Sequence, residues 1–419
     1  MSFLERYGTL AAKLPGDSAL RAAAADAFKT AGLPGARPGR RGEAWKYTSL
    51  RPLAETTFRA ATPRHPAEPI LAGLPLLDAP RLLFVDGMLS DAAAVMVGAG
   101  RPPTTTPIQM ARFAEQPDFG TLTWPDREPL VALNTMLAED GASIHVRDGQ
   151  DGGTIQLVHI ATQDADLHPR HCIRLDPGAR LTLIEMSAGA GTYLLNTVME
   201  IHVADGAHLT HVRVQDESLT AFHVSTTYAE IGTDAIYDSF TLNLGGHLSR
   251  TEVHANLAGE RATAHLNAAQ LLAGTQHADF TSVVGHLALN GTSRQTVKNV
   301  LSGRSRGVFQ GRIEVARAAQ KTDGYQMNQA LLLSPDAEIN SKPELEIFAD
   351  DVKCSHGATV GELDTEQLFY LRSRGVPDAE ARAILVRAFL AEALDAVTDE
   401  TIRGRLETMV EAWWRRHPA

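Results

Sequence analysis

The chain has 419 residues, more than one ordinary compact core accommodates, so two or three domains or an elongated repeat body with end caps are expected. Hydrophobic residues make up 44% and aromatic residues 6%, a balance suited to thin stacked layers of Ala, Val, Leu and Thr. The formal net charge of −11 argues against a nucleic-acid binder and against docking on anionic membranes, with the basic stretch GARPGRRGEAWK as a local exception.

The first residues, MSFLERYGTL, lack the basic start and apolar run of a signal peptide. No stretch of about 18 uncharged apolar residues follows, so no membrane span is expected. Two cysteines, Cys172 and Cys354, do not make a disulfide framework, which points to a reducing cytoplasm. The run SALRAAAADAFKTAG predicts a helix that closes at Gly32, with Pro34 beyond. A Pro/Gly/Arg loop then leads into Trp45 and Tyr47. Residues 60 to 80, rich in Pro and Ala, read as an irregular connector. RLLFVDG reads as a short strand and PLVALNTMLAEDG as a short helix closing at Gly141.

From about residue 142 the texture changes. SIHVRDG, TIQLVHIAT, HCIRLDPGARLTLIEMS and MEIHVADGAHLTHVRV alternate apolar and polar residues with period two, which is strand patterning. IRLDPGARLTL is echoed by IHVADGAHLTH, and Ala179, Ala207 and Ala235 recur at a constant offset of 28. Small residues at one phase of a fixed repeat suggest stacked coils burying a narrow column of Val, Leu, Ile and Ala. Two unrelated strand–turn–strand units of a sandwich are the alternative. The strand texture continues to about residue 360. TEQLFYLRSRG, DAEARAILVRAFLAEALDAV and TIRGRLETMVEAWWRRHPA then read as helices. Asp378 and Glu380 favour the start of the second, and Ile384, Leu385, Ala388 and Phe389 give it an apolar stripe. Three regions are thus expected: 1–140, helical and mixed; 141–362, the β body; and 363–419, helical.

The chemistry centres on DVKCSHGAT. On a strand, Cys354 and His356 share one face and Ser355 points away. A soft thiolate and an imidazole suit iron, zinc, copper or a bound sulfur species. A free thiol is mostly protonated at neutral pH unless a cationic neighbour or a metal lowers its pKa. A closed tetrahedral site needs four ligands, and there is no CxxC, so the pair fits a labile site completed by another chain. Asp350, Asp351 and Glu362 add acidic character nearby. His202, His208, His211, His254, His265, His277 and His286 read as polar strand residues facing solvent, with a stacked ladder as the alternative. No GxxxxGK[ST] or HExxH occurs, so ATP hydrolysis and zinc proteolysis lack their motifs, and the glycines of LSGRSRGVFQG read as corners of a coil.

The run from VKNVLSGRSRGVFQG through PELEIFADDVKCSHGAT to LRSRGV, residues 297–376, resembles the core of the SufB/SufD family of the SUF iron–sulfur assembly system. GEAWKYTSL, with Glu43, Trp45, Lys46 and Tyr47, is similar to that family's N-terminal motif. Only two cysteines, and His356 where SufB-like chains place a Glu, put the resemblance on the SufD side, with a SufB-like paralogue as the rival. The resemblance implies a mainly β, right-handed parallel β-helix between helical ends. It implies a heterodimer with a SufB-like subunit and a SufC-like ATPase docked on the C-terminal helices, for which Leu368, Phe369, Ile384, Leu385 and Phe389 are the candidates. It implies a non-catalytic scaffold, with a transient iron–sulfur cluster built at the shared interface beside His356 and Cys354. A reduced flavin accompanies such complexes, and no residue here is assigned to it. A β-helix enzyme acting on polysaccharide and a structural homodimer are the competing readings; the low aromatic content speaks against the first.

Overall fold

Between Ala142 and Gly361 the alternating sequence becomes a succession of strands, most of them nine to eleven residues long, that pass back and forth between two sheets. The coordinates are a computed structural model describing residues 2–36, 42–59, 61, 67–90, 108–113 and 119–417. The centre of the basic stretch, residues 37–41, lies outside the described residues, as do 60 and 62–66 of the connector. Each coil gives one strand to each sheet, and equivalent strands of successive coils pair in parallel. His208 lies opposite both Arg180 and Ile236, which is the offset of 28 seen in the sequence. The result is a mainly β, parallel solenoid of about eight turns, with helical segments at both chain ends.

The repeated alanines mark the turns that enter one sheet. Ala179, Ala207 and Ala235 are fully buried there. The His208 N–H donates to the Ala179 carbonyl and the Ile236 N–H to the Ala207 carbonyl, both at 2.9 Å. Residues of alternate parity point inward. Leu157, Leu183, Leu209, Ile231, Val253 and Leu257 form one continuous apolar column, each side chain stabilising by about 1.5–3 kcal/mol.

The interior is not apolar throughout, which corrects the expected column of Val, Leu, Ile and Ala. Further along the same strands the inward positions carry His159, Glu185, His211, Arg213 and Ser239, all buried. The expectation that the strand histidines face solvent is corrected with it. His211 and His286 are fully buried because they stand at inward parity, next to Leu209 and Val284. On the outside, His208 and His265 both bond Asp238, at 2.8 and 2.6 Å, across three coils.

The outer faces are covered by the chain ends. Helices Asp378–Leu394 and Glu400–Arg416 lay Val386, Leu390, Leu406 and Trp413 on Ile184, Val212 and Phe240. Helices Ser18–Ala31 and Pro129–Leu137 lay Phe28 and Leu133 on Leu194, Phe222 and Leu248 of the other sheet. Asp17 caps the first of these by accepting from the Ala19 N–H, and Gly32, at φ +66°, ends it. The connector is less irregular than expected: Glu68–Leu71 is a helical turn, and Leu74 and Leu76 pack on the body. GEAWKYTSL proves to be an anchor. Arg250, fully buried, is bonded to Glu252 and Asp279, and the Trp45 ring lies 4.1 Å from its guanidinium carbon. Thr48 Oγ1 donates to the same Asp279 at 2.5 Å.

Candidate functional site

The two ends of the solenoid differ. At the start, Met88–Leu89 lies antiparallel on Arg81–Val85, and Ile108–Arg112 lies antiparallel on Ala142–Val146. At the far end, strands Glu338–Ile347 and Lys353–Gly361 terminate their sheets, each paired along one edge only among the described residues. Neither contains a buried residue. Ile347, Phe348 and Val360 are exposed there, Phe348 by 67%.

Cys354 and His356 sit on this last strand. Their register partners in the preceding coil are Gly324 and Gln326, both buried, so the two side chains have inward parity, and Ser355 pairs with Tyr325 at the opposite parity. In an earlier coil this parity would bury them. Here no further coil follows among the described residues, so His356 is exposed and Cys354 half-buried. Gly324 makes room for the thiol: a Cβ at that position would come 3.3 Å from Cys354 Sγ and from Ile313 Cδ1. Burial pushes the Cys354 thiol up, the Asp323 charge adds to this, and the Gly324 backbone opposes it. The thiol is therefore protonated at neutral pH in the isolated chain. Activation needs a cation or a metal brought to it.

Beneath His356 runs a polar column. In register below it stand Gln326 and then Gln295, both fully buried. Gln326 Nε2 donates to the Glu344 carbonyl at 3.0 Å, and Ser282 Oγ donates to Gln295 Oε1 at 2.5 Å. Gln326 Oε1 and Gln295 Nε2 have no partner among the described residues. Gly311 is required for this arrangement, since a Cβ there would meet Gln326 Oε1 at 2.1 Å. Of the acids near the strand, Asp351 is paired with Lys321. Among the described residues, no cluster of three potential metal ligands includes Cys354 or His356, so the pair stays short of a closed site.

Several interior residues escaped the sequence reading. Glu185 accepts from His211 Nε2 at 3.2 Å and faces His159 Nε2 at 3.9 Å. The His159 and His171 rings are 5.1 Å apart. Burial pushes His159 down to about 4 and His171 to about 3, so both are neutral. Burial works to raise the Glu185 carboxyl, and His211, Arg213 and His159 overcome it, holding the group below the carboxylate range. The signal for this cluster was a polar residue at inward parity in each period-two run. It is visible only once the inward phase is known.

The candidate docking residues are separated by the fold. Helix Thr365–Ser373 buries none of its residues; Phe369 and Tyr370 are 74% and 56% exposed, and Leu368 is half-buried. Ile384 and Leu385 are half-buried on the next helix. Phe389 turns toward the solenoid, its ring 4.8 Å from the Lys298 ammonium.

Residues 158–389 match the SUF system FeS cluster assembly SufBD core domain. The chain is 34% identical over 386 residues to the iron–sulfur cluster assembly protein SufD of Escherichia coli (strain K12), covering 88% of this chain and 87% of that one. A SufBD family iron–sulfur cluster assembly protein of Synechocystis is 31% identical over 398 residues, covering 89% and 86%. SufD of Bacillus subtilis (strain 168) is 26% identical over 294 residues, covering 68% and 67%.

Proposed function

Because the chain belongs to the SufBD family of iron–sulfur cluster assembly proteins, we propose that it is a non-catalytic scaffold subunit whose last coil is one half of a cluster-building site. The observation that carries this reading is the uncapped end of the solenoid. It presents the Cys354 thiol and the His356 imidazole on inward-facing positions that no further coil covers. Two ligands on an open sheet end call for the remainder from a second chain. A SufB-like subunit sharing the fold would supply them by continuing the sheets from the unpaired edges of Glu338–Ile347 and Lys353–Gly361, in the manner of strand addition. The cluster is the assembly's cargo. His356 is the more accessible ligand, and Cys354 becomes one only when its thiol is deprotonated at the interface.

A SufC-like ATPase is assigned to the C-terminal helices. Phe369, flanked by Leu368, Ile384 and Leu385, is the contact that the exposure supports best. Phe389 acts from beneath by fixing its helix on the body. ATP hydrolysis belongs to that partner, and no flavin-holding residues are assigned in this chain. The division into 1–140, 141–362 and 363–419 and the cytoplasmic setting are part of the same reading. Among the described residues, no helix is long and apolar enough to cross a membrane.

The test is anaerobic co-expression with SufB- and SufC-like partners, with iron and sulfide measured in the purified complex. Loss of cluster in the Cys354→Ala/His356→Ala double variant, with the complex still assembled, is expected. Wild-type iron and sulfide in that variant would remove the site from this chain. Failure to pull down either partner, with self-association through the same edge, would favour a homodimer.

A further inference from the structure

On the outer face of the sheet that the N-terminal segment covers, three side chains from two distant parts of the chain converge. Glu128 immediately precedes helix Pro129–Leu137. Glu252 and His254 are two residues apart on strand Leu248–Leu257, so they share its outer face. One ligand atom from each lies within 4.8 Å of the others. That spacing suits a single ion held at bonds of about 2.0–2.2 Å. We propose that Glu128, Glu252 and His254 bind one divalent first-row transition ion: ferrous iron, zinc or manganese.

The surroundings support an ion rather than a plain ion pair. Arg250 occupies Glu252 Oε2, at 2.9 and 3.1 Å, and leaves Oε1 toward His254 Nε2 at 3.0 Å. Glu128 accepts no side-chain hydrogen bond among the described residues. The independent sign is Tyr228. It is His254's register partner in the preceding coil, and the two rings stack at 4.7 Å and 10°. Tyr228 is 5% exposed, and its hydroxyl has no hydrogen-bond partner among the described residues. Its phenol lies in the fields of Glu128 and Glu252 together. A buried phenol left unsatisfied beside two carboxylates is accounted for if a water on the ion bonds to it. Two carboxylates and one imidazole choose the class. Without a thiolate, cuprous ion is disfavoured, and with an imidazole in the set, magnesium and calcium are disfavoured. Glu128 and His254 are each only half-buried, so a hydrated ion has a way in. The site is separate from Cys354 and His356 and does not rest on the assembly role.

The experiment uses the full-length, tag-free, chelator-stripped chain carrying Cys354→Ala and His356→Ala, so that the terminal pair contributes nothing. Ferrous iron, under anaerobic conditions, zinc and manganese are each titrated by calorimetry. One equivalent of at least one ion is expected. The affinity should fall on the order of 100-fold or more in Glu128→Gln and in His254→Gln, and about tenfold in Tyr228→Phe. Melting of the metal-free variants checks that they fold, and Glu128→Gln should melt no lower than its parent because it relieves repulsion between two neighbouring carboxylates. Affinity unchanged in both ligand variants would overturn the site. So would the absence of uptake of all three ions at millimolar concentration, which would leave the two carboxylates sharing a proton.

Discussion

The first and last coils are built from the same repeat, yet one end is closed and the other is open. The early coils are sealed by antiparallel strands and overlaid by the N-terminal helices, and their inward polar groups are buried. The last coil has the same inward parity, and among the described residues nothing lies above it. The difference teaches that inward parity alone does not decide burial; the presence of a next coil does. At this end Val360 is exposed, and a thiol and an imidazole stand at inward parity on the terminal strand.

The contrast breaks most severely at the buried anchor. Arg250→Ala takes the guanidinium from Asp279 and Glu252 beneath Trp45, and it is expected to cost about 3–5 kcal/mol in denaturant unfolding and to expose the N-terminal segment to protease. A loss under about 1 kcal/mol would show that the body does not depend on this anchor. A paired comparison sharpens the point. Leu183→Ala, in the apolar column, should cost about 2–5 kcal/mol, whereas Val360→Ala, on the bare strand, should stay within about 0.5 kcal/mol while weakening partner binding. Equal costs would mean that the last coil is packed like the rest.

Acid should act on the closed region. Burial depresses His159 and His286 to about 4 and His171 to about 3, against 6.5 for an ordinary imidazole. Between those values the unfolded chain holds protons that the folded chain refuses. Stability is therefore full above about pH 6.5 and falls as pH drops toward 4, by on the order of 1 kcal/mol per pH unit for each imidazole. Urea unfolding at a series of pH values reads the slope. His159→Leu should flatten it by one proton with little loss at pH 7.5, since neither ring nitrogen of His159 has a hydrogen-bond partner among the described residues. The smallest effect is at the open end: iodoacetamide should modify Cys354 severalfold more slowly than a free cysteine at pH 7.5, because its thiol is half-buried and its pKa raised. A rate above that of a free thiol would mean that the isolated chain already activates it.

Much of this was legible in the residues. The offset of 28 at Ala179, Ala207 and Ala235 predicted stacked coils, because a stacked turn admits only a small side chain at one phase. Period two placed Cys354 and His356 on one face of a strand, and the resemblance in the CSHGAT run identified the family. The buried histidines were not legible. A polar residue in an alternating run reads as outward, and His211 differs from an exposed histidine only in sharing its parity with Leu209. The grouping of Glu128 with Glu252 and His254 was hidden too, since it joins segments more than 120 residues apart.

The sequence by itself determined the repeat and the two-residue alternation that puts Cys354 and His356 on one side of their strand. These follow from local sterics and composition, which act along the chain. Only the tertiary structure decided which inward positions are sealed and which lie open, that the Cys354 thiol is held protonated, and where Trp45 is anchored. Those outcomes depend on what lies across a coil or over a face, and burial and electrostatics act through space between residues that the chain keeps far apart.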